Sequence, residues 1–113
     1  MNLQNVAEKL QLSVSCGTEH MDREVRGGYA GDLLSDVIAH SSAGDLWVTM
    51  QVHVNIVAVA VLKDLAGIII VQGRQPAEDT VRKATEEHVA ILVSALSAYE
   101  TTGKLHAMLS HGP

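Results

Sequence analysis

Ile68, Ile69, Ile70 and Val71 form an unbroken run of β-branched apolar side chains. Successive side chains of a strand point to opposite faces, so a strand of this kind offers no polar face to water and is covered on both sides. Residues 56–66, just before it, read as a helix. Its Val, Ala, Ile and Leu side chains occupy nearly the whole circumference before Lys63 and Asp64, the pattern of a helix buried on several sides. Gly67 stands where a C′ glycine would close that helix. Upstream, Leu46, Val48 and Met50 alternate with Trp47 and Thr49. The alternation could run on to Asn55, but the change of pattern places the strand end near Met50. Strand, buried helix and buried strand in this order predict a parallel crossover.

The flanking segments extend the same alternation. Leu3, Val6, Ala7 and Leu10 share one face of a helix over 2–10, and Leu12, Val14 and Cys16 mark a strand over 12–16 that Gly17 ends. A loop with Glu19, His20 and Asp22 leads to a strand over 25–30, interrupted by Gly27 and Gly28, and then to a short helix over 32–40. Paired glycines in a strand signal a bulge or the close approach of another backbone or a ligand. After a turn at 41–45 and the central unit, Pro76 opens a further helix as its first residue, with Glu78 and Asp79 at the positive end of the dipole. Val81, Ala84 and His88 form its inner stripe, and Glu78 with Arg82 and Asp79 with Lys83 are spaced as i,i+4 pairs. Residues 89–93 are the last strand. Ser97 and Glu100 make a capping box for a final helix through Leu105, Met108 and Leu109, fraying over 110–113. About five strands alternate with about five helices, an α/β layered domain.

At 113 residues the chain has the size of one domain, 1–113, and its 47% hydrophobic content is enough for a core without staples. Cys16 is its single cysteine, so an internal disulfide and a multi-cysteine metal site are excluded, and a reducing cytoplasm is the expected compartment. The first ten residues lack the features of a signal peptide, and no apolar stretch approaches the roughly 20 residues of a membrane helix. A net charge of −5 and only three aromatic residues, Tyr29, Trp47 and Tyr99, argue against a nucleic-acid partner.

Ligands of open α/β sheets bind beyond the carboxyl ends of parallel strands. Three such junctions follow the strands ending near Met50, Val71 and Val93. If those strands are neighbours, Gln51, His53, Asn55, Gly73, Arg74 and Ser94 converge with exposed helix N–H groups, a setting for a small polar or anionic ligand. The same side chains could equally cap helices and satisfy loop backbone. Neither G-x-x-x-x-G-K-[ST] nor G-x-G-x-x-G is present, so nucleotide hydrolysis on a phosphate loop is excluded. No two of the six histidines stand at the i,i+3 or i,i+4 spacing of a helical metal motif, no G-x-S-x-G marks a nucleophile, and neither a metal nor a cofactor is expected.

Residues 22–29, Asp-Arg-Glu-Val-Arg-Gly-Gly-Tyr, resemble the motif that gives the DRTGG domain its name, with Asp22, Arg23, Gly27 and Gly28 at its marker positions. The resemblance continues through 32–37, 44–49, the Gln-x-His-x-Asn block at 51–55, and 65–71 with Gly73 and Arg74, and so covers nearly the whole chain. Arg26 stands where the family often has Thr, and Val54 where a Pro often follows the histidine. The resemblance implies a three-layer α/β/α fold with a central mixed, mostly parallel sheet of about five strands, similar to the amino-terminal domain of HPr kinase/phosphatase without its kinase domain. Related domains accompany CBS domains in pyrophosphatases regulated by adenine nucleotides and diadenosine polyphosphates, and precede the catalytic domain of some phosphotransacetylases.

The expected function is therefore a non-catalytic regulatory and dimerisation module. It would act as a homodimer, sense a small anionic or nucleotide-like ligand, and serve a partner enzyme. The alternative is a purely structural interaction domain without a ligand. An enzymatic reading with His53 as general base beside Arg74 lacks a second positioned catalytic group, so no catalytic residue is assigned.

Overall fold

In the computed structural model, which describes residues 1–111, the order of elements is that expected. The helices are α1 (Leu3–Leu10), α2 (Leu34–His40), α3 (Asn55–Leu62), α4 (Glu78–Glu86) and α5 (Ala98–His111). The strands are β1 (Ser13–Cys16), β2 (Gly27–Ala30), β3 (Asp45–Thr49), β4 (Gly67–Ile70) and β5 (Ile91–Val93), in the sheet order β1-β5-β4-β3-β2. β2 to β5 are mutually parallel and β1 runs antiparallel to β5. The expected fraying of residues 112–113 lies outside the described residues, while Ser110 belongs to α5.

Each of the three crossovers moves one strand along the sheet in the same direction. A constant handedness therefore delivers α2, α3 and α4 to one face. The alternation of the central strands divides the core accordingly. Trp47, Ile68, Ile70 and Ile91 pack with Val37 of α2, Ile56, Val57 and Ala60 of α3, and Ala84 of α4. Leu46, Val48, Ile69, Val71 and Leu92 pack on the other face with Leu3, Val6 and Ala7 of α1 and Leu105 of α5. The result is a three-layer α/β/α domain with a mixed, mostly parallel sheet.

Several local expectations are corrected. α3 ends at Leu62 and not at 66, because a Schellman turn stops it: Asp64 N–H donates to Val61 O, Leu65 N–H donates to Ala60 O, and Asp64 takes the left-handed conformation (φ 52°). Gly67 is therefore not the helix cap but the first residue of β4. The same turn ends α4. His88 (φ 60°) occupies the left-handed position, Val89 N–H reaches Ala84 O, and Val89 turns into the core, so His88 is exposed and not part of the inner stripe. Pro76 is not the first helical residue; it precedes the extended N-cap Ala77, whose carbonyl accepts from Val81 N–H. Lys83 faces Glu86 and Glu87 rather than Asp79. The Gly27–Gly28 pair makes no bulge, since β2 pairs with β3 in unbroken register; the irregularity lies in β1 between Val14 and Cys16. Ser97 caps α5 as expected, accepting from Glu100 N–H at 3.1 Å. α3 buries Ile56, Val57, Val59 and Ala60, but its opposite side, Val54, Ala58, Val61 and Leu62, stays exposed.

Two glycines should respond oppositely to the same substitution. Gly17 (φ 91°) lies so close to the residue before β5 that an added Cβ would sit 2.6 Å from Ala90 Cα, whereas a Cβ at Gly103 in α5 meets nothing within 4 Å. Gly17→Ala is expected to destabilise by about 2 kcal/mol or more, and Gly103→Ala to stabilise by about 0.5–1 kcal/mol. Urea unfolding followed by the fluorescence of buried Trp47 reads both; equal signs would refute this packing.

Candidate functional site

The strand order makes β3, β4 and β5 neighbours, so the three junctions at their carboxyl ends lie side by side. β4 leads to α4 on one face and β5 to α5 on the other, the arrangement that opens a crevice in parallel sheets. Here backbone bonds draw the junctions together. Gln72 N–H donates to Leu96 O and Gly73 N–H to Ser94 O, both at 2.8 Å, while Ala77 N–H and the Thr80 hydroxyl both donate to Val52 O. Gln72 (φ 62°) and Gly73 (φ 66°) form a left-handed turn at the rim, and open space surrounds Gly73.

The expected site residues divide into two groups. His53, Asn55, Gly73 and Arg74 are exposed at this edge. Gln51 and Ser94 are engaged in the scaffold. Gln51 Nε2 donates to Asp32 O at 3.0 Å. Ser94 is buried, its Oγ lies 2.8 Å from Thr101 Oγ1, and it accepts from Leu96 N–H, which joins β5 to α5. Val54, at the start of α3, supplies no side-chain cap, and the first turn of α3 contains no acidic residue. α4, by contrast, begins with Glu78 and Asp79. The amino end of α3 is thus the helix start at this edge whose positive dipole end is not already countered by a carboxylate.

Asp32 organises the edge and was not singled out by sequence. Its Oδ1 accepts from Thr49 Oγ1 at 2.7 Å and from Met50 N–H at 2.8 Å, latching the end of β2 to the end of β3. Trp47 adds a second tie, its Nε1–H donating to Gly31 O at 2.8 Å. The signal available was an Asp in the turn directly after a strand, a residue type that bonds nearby backbone.

The marker residues of the DRTGG resemblance lie at the opposite edge. Arg23 Nη2 donates to Asp64 Oδ1 at 2.7 Å and to Asp64 O at 2.9 Å, and Gly44 N–H donates to the same carbonyl. Arg23 thereby ties the loop before β2 to the turns before β3 and β4, while Asp22 is exposed. Gly27 and Gly28 provide close approach. A Cβ at Gly27 would stand 2.7 Å from Asp45 Oδ1, and one at Gly28 would stand 3.2 Å from Leu105 Cδ2 of α5. Between β2 and α5 runs an apolar groove of about 170 Å³, bordered by Gly28, Ala30, Val48, Leu105 and Leu109.

Cys16 donates to Val89 O at 3.6 Å. Burial raises its thiol pKa; a hydrogen bond from the Ile91 backbone opposes this, and the Glu19 charge reinforces it. It is a protonated packing residue, not an activated nucleophile. The rings of His20 and His88 meet edge to face at 5.3 Å. Among the described residues no group of three or more His, Cys, Asp or Glu side chains is placed to hold a metal ion, and no helix is long and apolar enough to cross a membrane.

These observations define a three-layer α/β domain with a tied marker edge and an open carboxyl edge. No protein-family profile matches the chain, and no curated protein matches it in sequence. Among solved structures it is similar to the CBS and DRTGG domains of the regulatory region of Clostridium perfringens pyrophosphatase, complexed with the activator diadenosine tetraphosphate. The TM-score is 0.69 at 12% identity, over 96% of this chain and 48% of that one. At that identity the likeness is one of fold, and it agrees with the DRTGG-like fold that residues 22–29 imply.

The two edges predict distinct mutational effects. Asp32→Ala orphans Met50 N–H and the buried Thr49 hydroxyl and should cost about 1–3 kcal/mol. Arg23→Ala removes a pair whose Asp64 side chain is 74% exposed and should cost less, about 1 kcal/mol or under. Urea denaturation of both variants checks the order. The raised Cys16 pKa means the folded chain keeps its thiol proton where the unfolded chain, near pH 9, releases it. Stability is therefore expected to fall as pH rises past about 9, and the fall near pH 9 should be smaller in Cys16→Ser.

Proposed function

We propose that this protein is a non-catalytic regulatory module that works as a homodimer and senses a small anionic ligand of the nucleotide class on behalf of a partner enzyme. The observation that carries this reading is the sharing of its fold, over 96% of the chain, with an enzyme's regulatory region complexed with a nucleotide activator. The open carboxyl edge supports it. There α3 begins, with the exposed His53 and Asn55 and no side-chain cap, after the strand that neighbours the one leading to Gly73 and Arg74; its Ile56 and Val57 N–H groups already donate to His53 O and Val54 O. The exposed Arg74 guanidinium, with the exposed His53 and Asn55 side chains, supplies donors that phosphate oxygens require. Gln51, Asp32 and Ser94 act as supports that hold these loops in place.

The alternative, an interaction domain without a ligand, is favoured by one observation: the exposed apolar side of α3.

Thermal-shift and calorimetric titration with AMP, ATP and diadenosine tetraphosphate separate the two. Binding to the folded state alone stabilises by about 2.7 kcal/mol at a ligand concentration a hundred times Kd. Arg74→Ala is expected to weaken binding at least tenfold while leaving the ligand-free melting temperature unchanged, because Arg74 is exposed. No shift with any of these ligands at millimolar concentration would remove the sensing role and leave the interaction domain.

A further inference from the structure

We propose that Tyr29, Asp36 and His40, where β2 leads into α2, form a binding site for a divalent transition-metal ion of the zinc class. The site shares no residue with the carboxyl-edge ligand site and does not depend on that reading. Asp36 and His40 stand four residues apart on α2, so their side chains meet on one face of the helix. His40 Nδ1 lies 3.1 Å from Asp36 Oδ1. The Tyr29 hydroxyl, from β2, donates to the other carboxylate oxygen, Oδ2. An imidazole and a phenol from two elements thus converge at one carboxylate, and imidazole nitrogen with carboxylate oxygen is a donor pair that zinc takes. Two ligand atoms held at about 2.1 Å, with an angle between about 90° and 109° at the metal, stand about 3.0–3.4 Å apart. The separation of His40 Nδ1 from Asp36 Oδ1 is that of two adjacent ligands. No third His, Cys, Asp or Glu joins the pair among the described residues, and the tyrosine completes the set.

The scaffold fixes these donors while leaving the metal face open. The Tyr29 ring packs against the core layer that contains Val37 and Trp47. Gly31 leaves the ring its room, since a Cβ there would stand 3.3 Å from Tyr29 Cε2, and Trp47 Nε1–H holds the same turn through Gly31 O. Val37 is the buried residue of α2 and sets the rotation of that helix. Asp36 and His40 remain 51% and 67% exposed, which leaves space for water to complete the coordination. Among the described residues no lysine or arginine pairs with Asp36, and His40 is a cationic partner only when its ring is protonated. A metal ion supplies that missing charge. The Asp36 hydrogen bond, followed by burial and the Asp36 charge, raises the Tyr29 pKa. A metal on the carboxylate withdraws both the acceptor and the negative charge and sets a cation beside the phenol. The phenol proton then passes to solvent, and the phenolate oxygen becomes the third ligand.

Calorimetric titration of the full, metal-free chain with Zn²⁺, alongside ultraviolet difference spectra, tests this. Binding is expected with release of a proton and the appearance of a phenolate band. Asp36→Asn and His40→Ala should each weaken binding by about tenfold or more, with unchanged circular dichroism spectra because both side chains are largely exposed. Tyr29→Phe should abolish the band and the proton release. His88→Ala, which removes the separate ring contact with His20, should leave the affinity unchanged. The band in the unsubstituted chain reads the site even if a variant perturbs folding. Absence of binding at millimolar Zn²⁺ overturns the site, and so does binding that survives both Asp36→Asn and His40→Ala. Loss of binding in His88→Ala alone would place the ion at the other histidine pair and overturn it equally. Binding without the phenolate band overturns the three-residue site by removing Tyr29 from the ligand set.

Discussion

The burial of β4 on both faces is the constraint from which the rest of this structure follows. Ile68 and Ile70 point to one helical layer and Ile69 and Val71 to the other, and all four are fully buried. Each aliphatic side chain so removed from water is worth about 1.5–3 kcal/mol. A sheet of one layer cannot provide that, so helices must reach both faces. Three crossovers of one hand fill the first face. The second is left to α1 and α5, the elements outside the crossover series, and α5 reaches it by passing over the end of β5. The change of side between α4 and α5 leaves the carboxyl edge between them open.

The buried polar side chains are all hydroxyls, Ser41, Thr49, Thr80, Ser94 and Thr101, and the side-chain hydrogen bonds of Arg23, Thr49, Thr80 and Ser94 that join distant segments lie at the two edges of the sheet. At the amino edge Arg23 and Asp64 tie three loops together; at the carboxyl edge Asp32 latches β2 to β3 and Ser94 joins β5 to α5. The interactions differ in exposure and therefore in what they contribute. The Arg23 pair is partly solvated, whereas the Thr49 and Ser94 hydroxyls are buried, where an unmade bond costs the full desolvation of the group.

The parts of this fold set by apolar periodicity were legible in the sequence: the order of elements, the buried strand, and the parallel crossover around α3. Helix ends were not. Gln11, Asp64 and His88 all take left-handed conformations at helix termini without being glycine. Their positions are dictated by where Leu65 and Val89 turn into the core, which is tertiary information. Asp32 and Asp64 were missed for a related reason, since their side-chain partners lie 17 and 41 residues away along the chain. The uniform hydrophobicity of α3 predicts burial on several sides, but its Ile56, Val57, Val59 and Ala60 are buried while Ala58, Val61 and Leu62 are exposed, a difference that the residue pattern alone does not carry.

The division between edges also decides what the motif resemblance can carry. Asp22, Arg23 and Gly27 stand at the start of the parallel strands, and His53, Asn55, Gly73 and Arg74 stand beyond their ends, about 15 Å apart at 3.3 Å per strand residue. Arg23 bonds backbone and a neighbouring carboxylate, and the glycines admit Asp45 and Leu105; each of these contacts is internal to the scaffold. The motif residues therefore serve the fold, whereas the exposed His53, Asn55 and Arg74 lie at the other edge. The block at 51–55 is the more informative resemblance for function. It contains Gln51, which fixes the loop on Asp32 O, and His53 and Asn55, whose side chains remain exposed at the uncapped start of α3.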